Sequence, residues 1–144
     1  MEKMEYLDPL ESYEQFCQYI RHRYPFYGYG MWIILDKVTG KVIGRAGLEE
    51  REIEGVVYTE LGYVLHPSYQ GKGIAFEVCQ EILSYAQHAL YMEEIYGFTH
   101  LDNIASQRLL RKSGFEFQGE KWSDGVRLKC YYKKLTGVKI NEQI

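Results

Sequence analysis

The chain is built from short apolar runs at a two-residue period and two stretches at a helical period, and the switches between periods mark its elements. Tyr13, Phe16, Cys17 and Ile20 recur at i, i+3, i+4 and i+7, with Glu11, Glu14, Gln15, Gln18 and Arg21 between them. That spacing predicts a helix over 11–24 with one core-facing side. Ser12 or Asp8 would cap it, and Pro25 lies past its end. Met31 to Leu35 is uniformly apolar and predicts a buried strand. Asp36-Lys37-Val38-Thr39-Gly40 supplies a hairpin loop, and Lys41 to Leu48 returns. Val56 to Leu65 alternates, with Tyr58, Glu60, Gly62 and Val64 on one face and Val57, Thr59, Leu61, Tyr63 and Leu65 on the other.

From Ala75 to about Leu90, the residues Phe76, Cys79, Leu83, Ala86 and Leu90 make a long helical stripe, widened by Val78 and Ile82. Ile95 to Thr99 reads as a short strand. A third helix from about Ile104 to Lys112 stops at Ser113-Gly114. Phe115 to Phe117 and Val126 to Leu135 then pair through a turn at Ser123-Asp124-Gly125, and residues from 137 onward read as a frayed tail. The strand–turn–helix–strand order at the centre is a βαβ-like unit, which places ligands at the carboxyl ends of its strands.

Two stretches between these elements each allow two readings. Phe26-Tyr27-Gly28-Tyr29-Gly30 is either a turn packed on the core edge or an aromatic wall of a pocket. Glu49, Glu50, Glu52 and Glu54 around Arg51 read as a polar loop, either a solvated face or an acidic rim that draws in a cationic amine. Gly62, inside a regular strand, marks a bulge or a close approach by a backbone or ligand.

Composition narrows the classes. A length of 144 residues suits a single domain spanning 1–144, with room for a real core. A net charge of −3 argues against a nucleic-acid partner held through phosphates. Cys17, Cys79 and Cys130 are odd in number and follow no metal-ligand spacing, so they read as reduced thiols in a cytoplasmic protein with no metal. No run is long and apolar enough to span a membrane, and no signal-peptide core follows Met1-Glu2-Lys3-Met4.

The candidate chemistry centres on Gln70-Gly71-Lys72-Gly73-Ile74-Ala75, between the strand and the long helix. Two glycines one residue apart allow a tight turn, and the N–H groups of the helix start form an anion site suited to a phosphate or pyrophosphate. The third glycine of a dinucleotide fingerprint is missing, and Gly73 stands where a Walker-type loop needs Ser or Thr. No carboxylate cluster suggests Mg²⁺. Two readings remain: a metal-free pyrophosphate cradle, or a turn with no ligand.

Gln70-x-x-Gly73-x-Ala75 matches the (Gln or Arg)-x-x-Gly-x-(Gly or Ala) signature of the GNAT superfamily of N-acetyltransferases. Tyr63-Val64-Leu65-His66-Pro67 precedes it as that family's fourth strand does. Asn103-x-x-Ser106-x-Arg108-Leu109-Leu110-x-Lys112-x-Gly114-Phe115 resembles the family's second block. The pattern runs from about Gly28 to Leu135 and looks closest to the branch of ribosomal-protein alanine and serine N-acetyltransferases. The resemblance implies an α+β fold in αβα layers. Its mixed, mostly antiparallel twisted sheet would be splayed at a central parallel strand pair and flanked by helices. The first strand and helix would be reduced or missing here.

It also implies a co-substrate, acetyl-CoA. The amides of Gly71, Gly73, Ile74 and Ala75, with Gln70 and Lys72, would hold its pyrophosphate. Leu65 would pair with the pantetheine arm and polarise the thioester carbonyl, Asn103 would bind the arm from the opposite strand, and Gly62 would be the bulge that splays the strands. Glu60 matches a position where related enzymes carry a catalytic glutamate, as base or amine-orienting group. The family's usual tyrosine acid is replaced by Leu110; Ser106 matches a serine considered for that role in the closest branch, or else caps its helix or contacts CoA. Tyr131 and Tyr132 are further candidates for pocket, acid or core. The expected activity is acetyl transfer to a peptide α-amine or small amine; the alternative is a non-catalytic acyl-CoA sensor of the same fold. A second copy of the chain is an expected partner, because a missing first strand would leave an open sheet edge.

Overall fold

The structure, a computed structural model, describes residues 31–135. The helix over 11–24, Cys17, the aromatic loop 26–30, the question of the first strand and helix, and the tail from 137 lie outside the described residues. The elements follow in the order β1 (Met31–Leu35), β2 (Val42–Ile53), β3 (Val56–Leu65), α1 (Ile74–His88), β4 (Glu94–His100), α2 (Ile104–Lys112), β5 (Glu116–Ser123) and β6 (Val126–Lys134). The six strands form one sheet, ordered β1-β2-β3-β4-β6-β5. Every neighbouring pair is antiparallel except β3 with β4. The mixed, centrally parallel sheet expected from the sequence is therefore present.

Both helices pack on one face of this sheet, α1 against β2 and β3 and α2 against β4. The reason lies in the two periods. Leu61 on β3 and Ala46 and Leu48 on β2 point to that face, where the stripe of Cys79, Ile82, Leu83 and Ala86 covers them. α2 comes unusually close to β4, because a Cβ on Gly97 would lie 2.8 Å from both Leu110 methyls. Leu110 is thereby 2% exposed and serves as a packing residue.

The opposite face carries Arg51 from β2, Tyr58 and Glu60 from β3, Tyr96 and Phe98 from β4, Tyr132 from β6 and Lys121 from β5. This face is concave. β2 and β5 are separated by three strands in the sheet, yet Trp122 N–H donates to Glu54 Oε2 at 3.2 Å and Arg51 Nη2 reaches Ser123 Oγ at 3.5 Å. The tip of the β2–β3 hairpin thus bends over to the start of the β5–β6 turn.

Several expectations are corrected. β2 runs on to Ile53, so Glu49 to Glu52 belong to a strand and only Glu54-Gly55 turn the chain. The cause is the unbroken ladder with β3, from Ile53 opposite Val56 to Gly44 opposite Leu65, which outweighs the low strand preference of glutamate. That same ladder passes Gly62, opposite Gly47, without a register shift, so Gly62 makes no bulge against β2. β1 is the outermost described strand rather than a buried one, with Leu35 51% exposed. β5 extends to Ser123, far beyond the three residues expected; its polar, solvated side hides the alternation that pairing with β6 enforces.

Candidate functional site

β3 and β4 are in register at a single pair, Glu60 opposite Tyr96. Toward the carboxyl ends of the two strands no further ladder pair joins them, which leaves a fork. At the end of β3, His66 N–H bonds Ile43 O on β2 at 2.8 Å. The alternation of an antiparallel ladder then turns Leu65's peptide groups the other way, toward the side of β4. Leu65's carbonyl accepts from Gln70 Nε2 at 2.9 Å, which ties the end of the strand to the glycine loop.

The loop is pinned at several points. Ser68 N–H donates to His66 Nδ1 at 3.1 Å, and Gln70 N–H donates to Pro67 O at 3.2 Å. Tyr69 Oη donates to Asp36 Oδ2 in the β1–β2 hairpin at 2.9 Å, which lowers the Asp36 carboxyl. Gly71 and Gly73 have φ of 76° and 83°, the left-handed region that glycine enters freely. A Cβ at either would meet nothing within 4 Å, so backbone conformation rather than crowding demands glycine and the space beside the loop is open.

Gly73 starts α1 without a side-chain cap, and Glu77 N–H closes the first helical bond on Gly73 O at 3.1 Å. The amides of Ile74, Ala75 and Phe76 therefore have no intrahelical acceptor and carry the positive end of the helix dipole. Two ammonium groups flank them: Lys72 Nζ lies 5.6 Å from the Tyr69 ring and Lys112 Nζ, from the end of α2, 4.2 Å from the Phe76 ring. Lys112 belongs to the second motif block, but its nearness to Phe76 was not visible in the sequence, because the two lie far apart along the chain. The Gln70 donors are engaged within the loop, so its position is that of a brace.

Across the fork, Asn103 starts α2 with Oδ1 accepting from Ser106 N–H at 3.1 Å. Its Nδ2 is buried and has no hydrogen-bond partner. Gln107 holds this corner against β4, its Nε2 donating to His100 O at 3.2 Å and Leu101 O at 3.0 Å. Ser106 is 6% exposed. Tyr63 Oη donates to Ser106 Oγ at 3.0 Å, and burial pushes the Tyr63 phenol well above its usual range, so Tyr63 keeps its proton. Neither Gln107 nor the Tyr63 contact was visible in the sequence; the partners in the latter are 43 residues apart.

Glu60 sits on the concave face, at the closed end of the fork. Its side chain is 14% exposed, and both carboxylate oxygens lie 3.2 Å from Arg51 Nη1. Burial pushes the carboxyl from 4.5 up to about 7, against the pull of Arg51. Around it, Tyr58 packs edge-on to Tyr96 at 4.7 Å and to Phe98 at 5.4 Å, and Tyr96 meets Tyr132 at 5.3 Å. Tyr131, by contrast, is 1% exposed in the core, with Arg111 Nη1 donating to its hydroxyl at 3.3 Å.

The structure thus gathers Gln70 to Ala75 on one loop, Leu65 at the adjoining strand end and Asn103 with Ser106 on the first turn of α2. Glu60 and Ser106 stand apart, on opposite faces of the sheet. Cys79 and Cys130 are buried free thiols, and burial pushes Cys79 up to about 12. Among the described residues no group of three or more His, Cys, Asp or Glu side chains is placed to hold a metal, and no helix is long and apolar enough to cross a membrane.

A sheet forked between two parallel strands, with a glycine loop and helix start at the open end, is the GNAT acetyltransferase architecture. It is shared with a putative GNAT-family acetyltransferase from Bordetella pertussis, at a TM-score of 0.75 and 21% identity over 88% of this chain and 78% of that one. It is likewise shared with the ribosomal L7/L12 alpha-N-protein acetyltransferase RimL, solved in complex with coenzyme A, at a TM-score of 0.69 and 19% identity over 88% of this chain and 72% of that one. The model of the acetyltransferase (GNAT) domain matches residues 1–116, and the chain belongs to that family. A curated relative, the Bacillus subtilis (strain 168) protein YkkB, is 29% identical over 102 residues, 69% of this chain. The match spans 59% of YkkB's length.

Proposed function

We propose that this domain moves the acetyl group of acetyl-CoA directly to a primary amine, either a peptide N-terminal α-amine or a small amine. The observation that carries the reading is the buried Nδ2 of Asn103, which lacks a partner at the mouth of the fork. A buried amide N–H left unpaired costs about 1–3 kcal/mol, and an amide oxygen of a pantetheine arm would satisfy it. The open space beside Gly71 and Gly73 fits the same guest, because a pyrophosphate needs exposed amides and room.

In this reading the amides of Gly71, Gly73, Ile74 and Ala75 bind the pyrophosphate, with Lys72 adding charge, while Gln70 braces the loop to Leu65. Leu65, at the strand end, pairs with the pantetheine arm, which runs back along β3 so that the acyl group reaches Glu60. The co-substrate, when bound, supplies an activated acyl group on sulfur. Glu60 takes the proton of the attacking amine, directly or through a water. An α-amine near ~8 costs about 1.4 kcal/mol to neutralise at pH 7 and a lysine-like amine near ~10.4 roughly 4.6 kcal/mol, so the base matters most for the latter. Ser106, held by Tyr63 through its oxygen, keeps its own hydrogen for the thiolate side. Base and acid on opposite faces of the sheet suit a displacement in which the amine arrives on one side of the carbonyl and the thiolate departs on the other.

Two neighbours are consistent with peptide and small-amine acceptors: RimL carries its ribosomal substrate in its name, and a Vibrio cholerae protein of the same fold is a spermidine N-acetyltransferase. The two buried free thiols fit a reducing, cytoplasmic setting. The test is release of CoA thiol from acetyl-CoA across a panel of small amines and peptides with free N-termini. Turnover on either class supports the proposal. Tight binding of acetyl-CoA with no turnover on any amine overturns it in favour of a sensor.

A further inference from the structure

The concave face holds one charged contact that neither the family signature nor the proposed chemistry uses. Arg51 is held by three different strands. Its Nη1 lies 3.2 Å from both Glu60 oxygens on β3, its guanidinium sits 5.6 Å from the Phe98 ring centre on β4, and its Nη2 reaches Ser123 Oγ on β5 at 3.5 Å. A guanidinium fixed in this way is not a wandering surface charge, although its side chain is 36% exposed. It presents a fixed direction to the carboxylate, and planar guanidinium does this better than a flexible ammonium.

Resting on the acetyl-transfer reading, we propose that Arg51 is a positioning residue for Glu60: it fixes the carboxylate's orientation toward the incoming amine and sets how readily that carboxylate takes a proton. The neighbourhood explains why such a residue is needed. Glu49 stands directly opposite Glu60 on β2 and raises its proton affinity, as does burial. Tyr96 on β4 stands opposite Glu60, with the Tyr58 ring of β3 packed against it and the Tyr132 ring of β6 beyond it. Lys121 on β5 lies 5.9 Å from the Tyr58 ring centre, one ring away from the carboxylate. Arg51 is the cation that bonds Glu60 directly, and without it burial and Glu49 would keep Glu60 protonated at neutral pH, unable to accept a proton.

The experiment follows Glu60 itself in the acceptor-free protein, by ¹³C NMR titration of its side-chain carboxyl, alongside the pH–rate profile with the best amine. Arg51→Gln is expected to raise the Glu60 midpoint by about one to three pH units, and the acidic limb of kcat/KM is expected to move with it. Arg51→Lys keeps a charge but loses the grip on Ser123; its midpoint is expected to return most of the way while kcat stays low and KM for acetyl-CoA is unchanged. A Glu60 midpoint unmoved in both variants overturns the inference whatever the activity. Absence of turnover in the parent protein, with the midpoint moving as expected, overturns instead the enzymatic reading on which the positioning role depends.

Discussion

Glu60 gives the sharpest quantitative test, because its burial ties protonation to stability. The perturbation is Glu60→Gln, which keeps the shape and removes the titration. In the folded protein the carboxyl is pushed from 4.5 up to about 7, so between those values the native state holds a proton that the unfolded chain has released. Stability therefore falls as pH rises through this window and is flat above it. The whole interval is worth about 3 kcal/mol at about 1.36 kcal/mol per pH unit. Between about pH 5.5 and pH 8 the loss comes to roughly 2 kcal/mol. The assay is urea unfolding of both proteins at the two pH values, read as a double difference so that other titrating groups cancel. Glutamine stands in for the protonated carboxyl at both values, so its difference from that neutral form is a constant offset. Parallel stability curves, or a parent protein gaining on the variant as pH rises, would refute the reasoning.

The remaining predictions concern the open end of the fork and the packing beneath it. Asn103→Ser keeps a helix-capping oxygen and deletes the unpartnered Nδ2, so acetyl-CoA should bind about tenfold more weakly while the melting temperature of the ligand-free protein is not lowered; equal affinity by calorimetry would remove Asn103 from the site. Gly97→Ala drives a methyl into Leu110 and should destabilise the fold by about 1–3 kcal/mol, with Leu110→Val in the same chain recovering part of it. Additive losses in urea unfolding would show that the two do not compete for space.

The sequence was readable where a local rule sufficed. The strict alternation of Val56 to Leu65 predicted both faces of β3, and the stripe of Phe76, Cys79, Leu83 and Ala86 predicted the helix that covers one of them. The glycine pair predicted the loop because left-handed φ is a local demand. What stayed hidden depends on distant partners. Glu49 to Glu52 read as a loop because glutamates disfavour strands, and only the ladder to Val57 through Glu60 makes them one. The grip of Arg51 needs a curl that brings β5 back to β2, and no spacing in the chain encodes it. Gln70 belongs to the expected cradle, yet its role as a brace follows from where Leu65's carbonyl happens to point.

The single meeting point of β3 and β4 makes the third strand a measuring rod. Glu60 stands at the vertex, Leu65 five residues further on, and at about 3.3 Å per residue the two are set roughly 16 Å apart. The glycine loop proposed to hold the pyrophosphate begins beyond that mark. A donor can engage both ends only if a long arm separates its acyl group from its phosphates. A compact donor such as acetyl phosphate, whose acyl and phosphoryl groups adjoin, should leave the enzyme idle; acetylation from it at a rate near that from acetyl-CoA would mean the rod measures nothing.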